Sequence, residues 1–272
     1  MIKIFVDSGS SIKKEDESKF NVEILPLKVL LKDTEYLDGV NLSMDVFYNA
    51  LIKDGVFPKT SLPNLDYAFE RVTKCTNEGF DVIIITISSG ISGTNNALKM
   101  LFKDNKKVRV IDSLSAVGGV KILVQEANKH LDKSLDFIEE KLNNIAKRTI
   151  ALAVPETLTY LRKGGRLSAV GCIIGKILKI KPIIALKNTV KVQGKAIGLK
   201  SAMKFLVSAL DNCDTNYPII PCYTYNDKNL DELISKTPSD LVAIMQEKDN
   251  LTPAIACHWG PNAFGYVFVE KE

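Results

Sequence analysis

Asp81-Val82-Ile83-Ile84-Ile85-Thr86-Ile87-Ser88-Ser89-Gly90-Ile91-Ser92-Gly93-Thr94 decides the fold. The Val and Ile run predicts a strand buried on both faces, as in parallel sheets covered by helices. It stops in hydroxyls and glycines, and Asn95 to Phe102 then reads as a helix. In parallel α/β sheets such a loop lies at the carboxyl edge, where ligands bind. Glycines let N–H groups turn toward one point, the helix start adds unpaired N–H groups, and Ser and Thr add hydroxyl donors. That chemistry suits a small anionic head such as a carboxylate or phosphate. The same residues also serve simply to turn a chain and cap a helix, so the rest of the sequence has to decide.

The pattern recurs. Ile2 to Val6 reads as a strand running into Asp7-Ser8-Gly9-Ser10-Ser11. Val108 to Ile111 runs into Asp112-Ser113, and Gly118-Gly119 opens a helix to about His130. Val22 to Leu31 is apolar, with Pro26 placing it at an edge or a bend. Ser43 starts a helix and Gly55 lies beyond its end. In Pro58-Lys59-Thr60-Ser61-Leu62-Pro63 the prolines predict an extended or turned segment. Asn64 caps the next helix, and Ser134 a later one to Lys147. Strands alternating with helices predict a mainly parallel sheet.

After about residue 149 the alternation fails. Ala151 to Val154 reads as a strand, Thr157 to Leu161 as a helical turn, and Lys163-Gly164-Gly165-Arg166-Leu167-Ser168 as a tight turn. Val170 to Ile180 is very apolar, with Gly171 and Gly175 permitting close approach. Pro182 to Leu186 and Val190 to Val192 read as neighbouring strands. Ile219 to Tyr223, Leu241 to Met245, Ala254 to Cys257 and Phe264 to Val269 read as short strands, with helices at Ala202 to Leu210 and Leu230 to Ile234. The predicted fold class is α/β with two domains. Residues 1–148 form a mainly parallel sheet with flanking helices, and residues 149–272 a mixed or antiparallel sheet with helices.

Composition narrows the function classes. The 272 residues are 46% hydrophobic and 25% charged, which fits a globular protein with a substantial core. A net charge of +4, with lysines scattered and no basic stripe interleaved with aromatics, argues against nucleic acid. Cys75, Cys172, Cys213, Cys222 and Cys257 are odd in number and widely spaced, which disfavours a disulfide scaffold and a zinc cluster. Free thiols in a reducing cytoplasm are expected. The first residues read as a strand rather than a signal-peptide core, and no apolar run reaches the roughly 20 residues that span a bilayer.

Familiar catalytic motifs fail. Asp7-Ser8-Gly9 lacks the glycine spacing of a dinucleotide fingerprint. Gly171 to Gly175-Lys176 is one residue short for a phosphate loop and continues in Ile177. Gly90-Ile91-Ser92-Gly93 departs from the hydrolase elbow. Ser92 could act as a nucleophile with His258 as base. His258, placed after a strand and before Trp259-Gly260-Pro261, can point into a cleft or bond to the turn backbone. His130 reads as a surface residue near a helix end. Arg166 can neutralise an anion or face solvent. The run from Val170 to Ile184 can wall a lipid tunnel or be ordinary core.

Taken in order, Asp7-Ser8, Pro26-Leu27, Thr60-Ser61-x-Pro63, Ser88-Ser89-x-x-Ser92-Gly93-Thr94, Asp112-Ser113 with Gly118-Gly119, Gly164-Gly165-Arg166-Leu167-Ser168, Lys181-Pro182 and His258-x-Gly260-Pro261 span nearly the whole chain. Each is short, but the ordered set is specific. The chain resembles the DegV family of bacterial fatty-acid-binding proteins, which serve as lipid carriers of the fatty acid kinase system. Leu62, Gly9-Ser10-Ser11 and Val117 depart from the family's common residues, and Thr60 and Ser92 are kept.

The resemblance implies two α/β domains holding a long-chain fatty acid such as palmitate between them, with no cofactor and no metal. It places the carboxylate on Thr60 and Ser92, with Ser61, Gly93 and Thr94 nearby, His258 closing the head-group site and Arg166 beside it. The acyl tail enters the second domain. A cytoplasmic carrier rather than an enzyme is therefore expected. Its expected partners are a fatty acid kinase and an acyltransferase that uses acyl phosphate, with transient contact to a membrane surface. The alternatives are a serine-dependent acyl or lipid hydrolase using Ser92 and His258, and a domain binding nucleotide or sugar phosphate.

Overall fold

Val82, Ile83, Ile84 and Ile85 are fully buried, and strand alternation sends them into two cores. Val82 and Ile84 pack with Phe5, Leu25, Val72 and Leu98, while Ile83 and Ile85 pack with Ile4, Val6, Val120 and Leu123. Such a strand needs helices on both faces. The helices Leu65–Asn77 and Thr94–Leu101 cover one and Gly118–Asn128 the other. Asn64 caps the first of these by accepting from the Asp66 and Tyr67 N–H groups.

The computed structural model describes residues 1–167 and 180–272. The first strands are β1 (Ile2–Asp7), β2 (Val22–Leu25), β3 (Lys28–Leu31), β4 (Thr34–Leu37), β5 (Lys59–Ser61), β6 (Asp81–Thr86) and β7 (Val108–Asp112). They are followed by β8 (Thr149–Val154), β9 (Ile180–Lys187), β10 (Thr189–Ile197), β11 (Ile220–Tyr223), β12 (Asp249–Asn250) and β13 (Phe264–Val269). A parallel sheet runs β2-β1-β6-β7. A mixed sheet runs β10-β9-β8-β13-β11-β12, antiparallel except between β11 and β12. The fold is the expected α/β arrangement of a parallel sheet and a mixed sheet with helices.

A small antiparallel sheet, β4-β3-β5, was not foreseen. The stretch Val22 to Leu31 is not one strand: it leaves the parallel sheet at Pro26 and joins the small one as β3. Proline removes a ladder donor, so the change of sheet falls there. The strand expected at Ala254 to Cys257 is instead part of the helix Pro253–Trp259. Proline at a first helical position favours this, because its missing N–H has no helical partner to lose. A short apolar run has no periodicity that separates strand from helix. The strand expected at Leu241 to Met245 begins in the short helix Ser239–Val242 and ends in an isolated bridge from Met245 to Ile219.

Cys75, Cys213, Cys222 and Cys257 are buried free thiols, and Cys172 lies outside the described residues. So do Ser168 and most of the apolar run from Val170. No helix among the described residues is long and apolar enough to cross a membrane.

The helix Gly118–Asn128 contacts both large sheets and meets the mixed one closely at Gly118. A Cβ there would lie 2.8 Å from the Ile220 Cβ and 3.1 Å from the Val267 Cβ. Gly118→Ala is expected to destabilise the protein by about 1–3 kcal/mol through overpacking. Urea unfolding measures it, and an unchanged midpoint at unchanged slope would contradict so close an approach.

Candidate ligand-binding site

β1, β6 and β7 lie side by side and parallel, so their carboxyl ends bring three hydroxyl-rich loops together. Two carboxylates, the buried Asp7 and the half-buried Asp112, tie these loops. Asp7 accepts from the N–H of Gly9 at 2.9 Å and of Ile87 at 2.8 Å. Asp112 accepts from the N–H of Ser89 at 3.1 Å and of Leu114 at 3.0 Å. The Ser88 hydroxyl donates to the Asn188 carbonyl at 2.6 Å, and the Asn188 N–H donates to the Leu114 carbonyl. The β6 loop is thereby stitched to the β9–β10 hairpin.

The loops after β6 and β7 bound a cleft of about 240 Å³. Its other walls are β5, the turn at Arg166, the β9–β10 hairpin and the helix Pro253–Trp259. Thr60, Ser61, Ser92, His258 and Arg166 supply its polar side chains. Leu27, Ile87, Leu161, Leu186, Val190 and Trp259 contribute to its apolar walls. Thr60 Oγ1 lies 3.0 Å from His258 Nε2, and the imidazole tautomer decides which donates. Among the described residues, His258 Nδ1 is buried without a hydrogen-bond partner. The ring rests on Gly164, where a Cβ would lie 2.3 Å from Nδ1.

Arg166 Nε donates to the Ile91 carbonyl at 3.2 Å and Nη1 to the Gly164 carbonyl at 2.6 Å. It is half-buried and anchors the β6 loop to its own turn. Asp38 holds the helix that carries His258. Its oxygens accept from the Ala254 N–H and the Thr252 hydroxyl, each at 2.9 Å. Burial pushes Asp38 up to about 6 and Asp7 up to about 7, against the hydrogen bonds that favour their ionised forms. Burial, with the Arg166 charge second, pushes His258 down to about 4. The imidazole is therefore neutral at neutral pH, and Arg166 is the one cation among the described residues lining the cleft.

Residues 1–271 match the family described as "Uncharacterised protein, DegV family". The chain belongs to the DegV family. A DegV domain-containing protein of Clostridium acetobutylicum is 29% identical, over 99% of each chain. A stearic acid-binding protein of Eubacterium ventriosum is 26% identical with a TM-score of 0.87, covering 100% of this chain and 99% of that one. A DegV lipid-binding protein of Thermotoga maritima is also 26% identical, with a TM-score of 0.84 and the same coverage.

Within this DegV fold the cleft gathers Thr60, Ser61, Ser92, Gly93, His258 and Arg166, all singled out in the sequence. Thr94 is buried behind it, its hydroxyl 2.9 Å from that of Ser92 and its N–H donating to the same oxygen. His258 reaches the cleft from the last turn of a helix, not from a strand end. His130, read as a surface residue at terminal carbonyls, is half-buried and pairs with Glu126 at 3.2 Å. Asp38 and the apolar wall were missed. The run from Val170 to Ile184, read as a candidate tunnel wall, lies mostly outside the described residues. Among the described residues no cluster of three or more His, Cys, Asp or Glu is placed to hold a metal ion.

The imidazole of His258 is expected to titrate with a midpoint near 4 in a proton NMR titration, and a midpoint above 6 would contradict its burial. The unfolded chain takes up this proton near its ordinary 6.5. The His258 contribution thus favours folding above 6.5 and is lost as pH falls toward 4.

Proposed function

We propose that this chain binds a long-chain fatty acid such as palmitate. The carboxyl head meets Thr60 and Ser92, with Ser61, Gly93, Thr94, His258 and Arg166 around it. The acyl tail continues toward residues 149–272. In this reading residues 1–148 are a domain that supplies the head-group loops and residues 149–272 a domain that houses the tail. The observation that carries it is one cleft whose polar side chains are hydroxyls, a neutral imidazole and the Arg166 guanidinium, set among otherwise apolar walls. The relatives of Eubacterium ventriosum and Thermotoga maritima, described as binding stearic acid and lipid, support the same ligand class.

The energetics suit such a ligand. About a dozen buried methylenes at ~0.8 kcal/mol each give a gross term of roughly 10 kcal/mol. Ordering the chain and ligand removes much of it. A carboxylate buried without partners would be costly, and hydroxyl and backbone donors meet that need. Donors of this kind accept a carboxylate, a carboxylic acid or a phosphate. We therefore propose a cytoplasmic carrier, not an enzyme, with no cofactor. It presents its acid to a partner kinase for acyl phosphate formation and serves an acyltransferase that uses the product, touching membrane surfaces transiently.

The hydrolase reading asks Ser92 and His258 to pair. Ser92 Oγ instead lies against Thr94 Oγ1, and His258 Nε2 against Thr60 Oγ1. Among the described residues, Nδ1 of the same ring has no carboxylate partner to orient it as a base.

Labelled palmitate separates these readings. Intact acid recovered at one equivalent after denaturation is the expected result; a covalent serine adduct or released product would favour the hydrolase. Thr60→Val and Ser92→Ala are each expected to weaken palmitate binding by about 1–3 kcal/mol, because each removes a partner of a buried acceptor. Calorimetry showing unchanged affinity in both would remove the hydroxyls from the site.

A further inference from the structure

A second, smaller space of about 30 Å³ adjoins the cleft. It shares two walls with the cleft, Leu186 and Trp259. Trp259 directly follows His258, so the shared wall adjoins one of the cleft's polar residues in sequence. The floor of the second space includes Ala153 of β8, Gly265 of β13 and Cys222 of β11. These three are in register across adjacent strands, Ala153 opposite Gly265 and Gly265 opposite Cys222. Small side chains in one row leave a trench across a sheet whose strands sit about 4.8 Å apart.

The exposure of Ala153 is a separate sign. β8 is an inner strand, paired on both sides, and its neighbours Leu152 and Val154 are buried. Ala153 nevertheless keeps intermediate exposure. It packs against the core that also contains Trp259 and Leu186. Val117, Leu251 and Ala263, which also line it, are apolar, and among the described residues only Tyr223 and Tyr266 bring hydroxyls to its lining, so the trench suits an apolar segment better than a hydrated one.

We infer that Leu186 and Trp259 form the waist of one continuous acyl channel, and that Ala153, Gly265 and Cys222 floor its inner end and set the longest chain it accepts. This rests on the fatty-acid reading above. A short chain ends before the waist. A longer one passes between Leu186 and Trp259 and lays its terminal methylenes along the trench. Filling the trench therefore penalises long chains and spares short ones.

The test is a titration of decanoate, dodecanoate, palmitate and stearate into the wild-type protein, Ala153→Leu and Cys222→Leu. Each variant should hold decanoate within about twofold of wild type and lose about tenfold or more for stearate, the equivalent of about two buried methylenes. A parallel loss at every length, or none, would overturn the channel while leaving fatty-acid binding intact. No binding of any acid by the wild type would overturn both. The wild type also gives a reading that needs no substitution. The terminal methyl of stearate carrying carbon-13 at that position should show nuclear Overhauser contacts to the Ala153 methyl and the Trp259 ring. Contacts only to the cleft's polar residues, or to none of the trench residues, would overturn the assignment.

Discussion

The site depends on one buried carboxylate. Asp38 is fully buried between the small sheet and the helix Pro253–Trp259, where it takes up the Ala254 N–H and the Thr252 hydroxyl. A helix start leaves N–H groups without partners, and a carboxylate is the natural acceptor for them. Burial opposes the charge, which is why Asp38 is pushed up to about 6 even with these donors. The bond holds a C-terminal helix against an N-terminal segment. Thr60 and His258 are 198 residues apart in sequence and 3.0 Å apart in space as part of the same arrangement.

Asp7 and Asp112 do similar work on the other side of the cleft. Each spans loops from neighbouring strands, and each spends its acceptors on backbone N–H groups. The acids thus order the loops, while the ligand-facing edge is left to hydroxyls. Arg166 is also engaged with two carbonyls, so its charge is partly committed before any anion arrives. The neutral His258 follows from the same economy of charge: an imidazolium there would sit beside Arg166 with little water to screen it.

Much of this was legible because it is local. A β-branched run ending in Ser-Ser-Gly specifies a strand and a loop within a few residues, and Thr60 stands between prolines that leave few conformations open. Asp38 was not legible, because Ala254 lies 216 residues away and nothing near Asp38 marks it as a cap. The apolar wall was hidden for another reason. Leu27, Leu186 and Val190 look like any core residue until register decides which of them face a cleft. The helix holding His258 was misread despite Pro253, since Ala254-Ile255-Ala256-Cys257 fits a buried strand as well as a buried helix.

The separation of roles has a consequence for a ligand with two unequal ends. Affinity for an acyl chain comes mainly from apolar area, which does not change when the head is altered. Recognition of the head comes from hydroxyls and backbone donors, which tolerate more than one acceptor group. A cation-dominated head site would instead favour the more highly charged form strongly and resist giving it up. In the proposed carrier, the chain can stay seated while its head changes from acid to acyl phosphate. Exchange then turns on opening the apolar wall, and the turn carrying Arg166 stands in that wall beside the helix of His258.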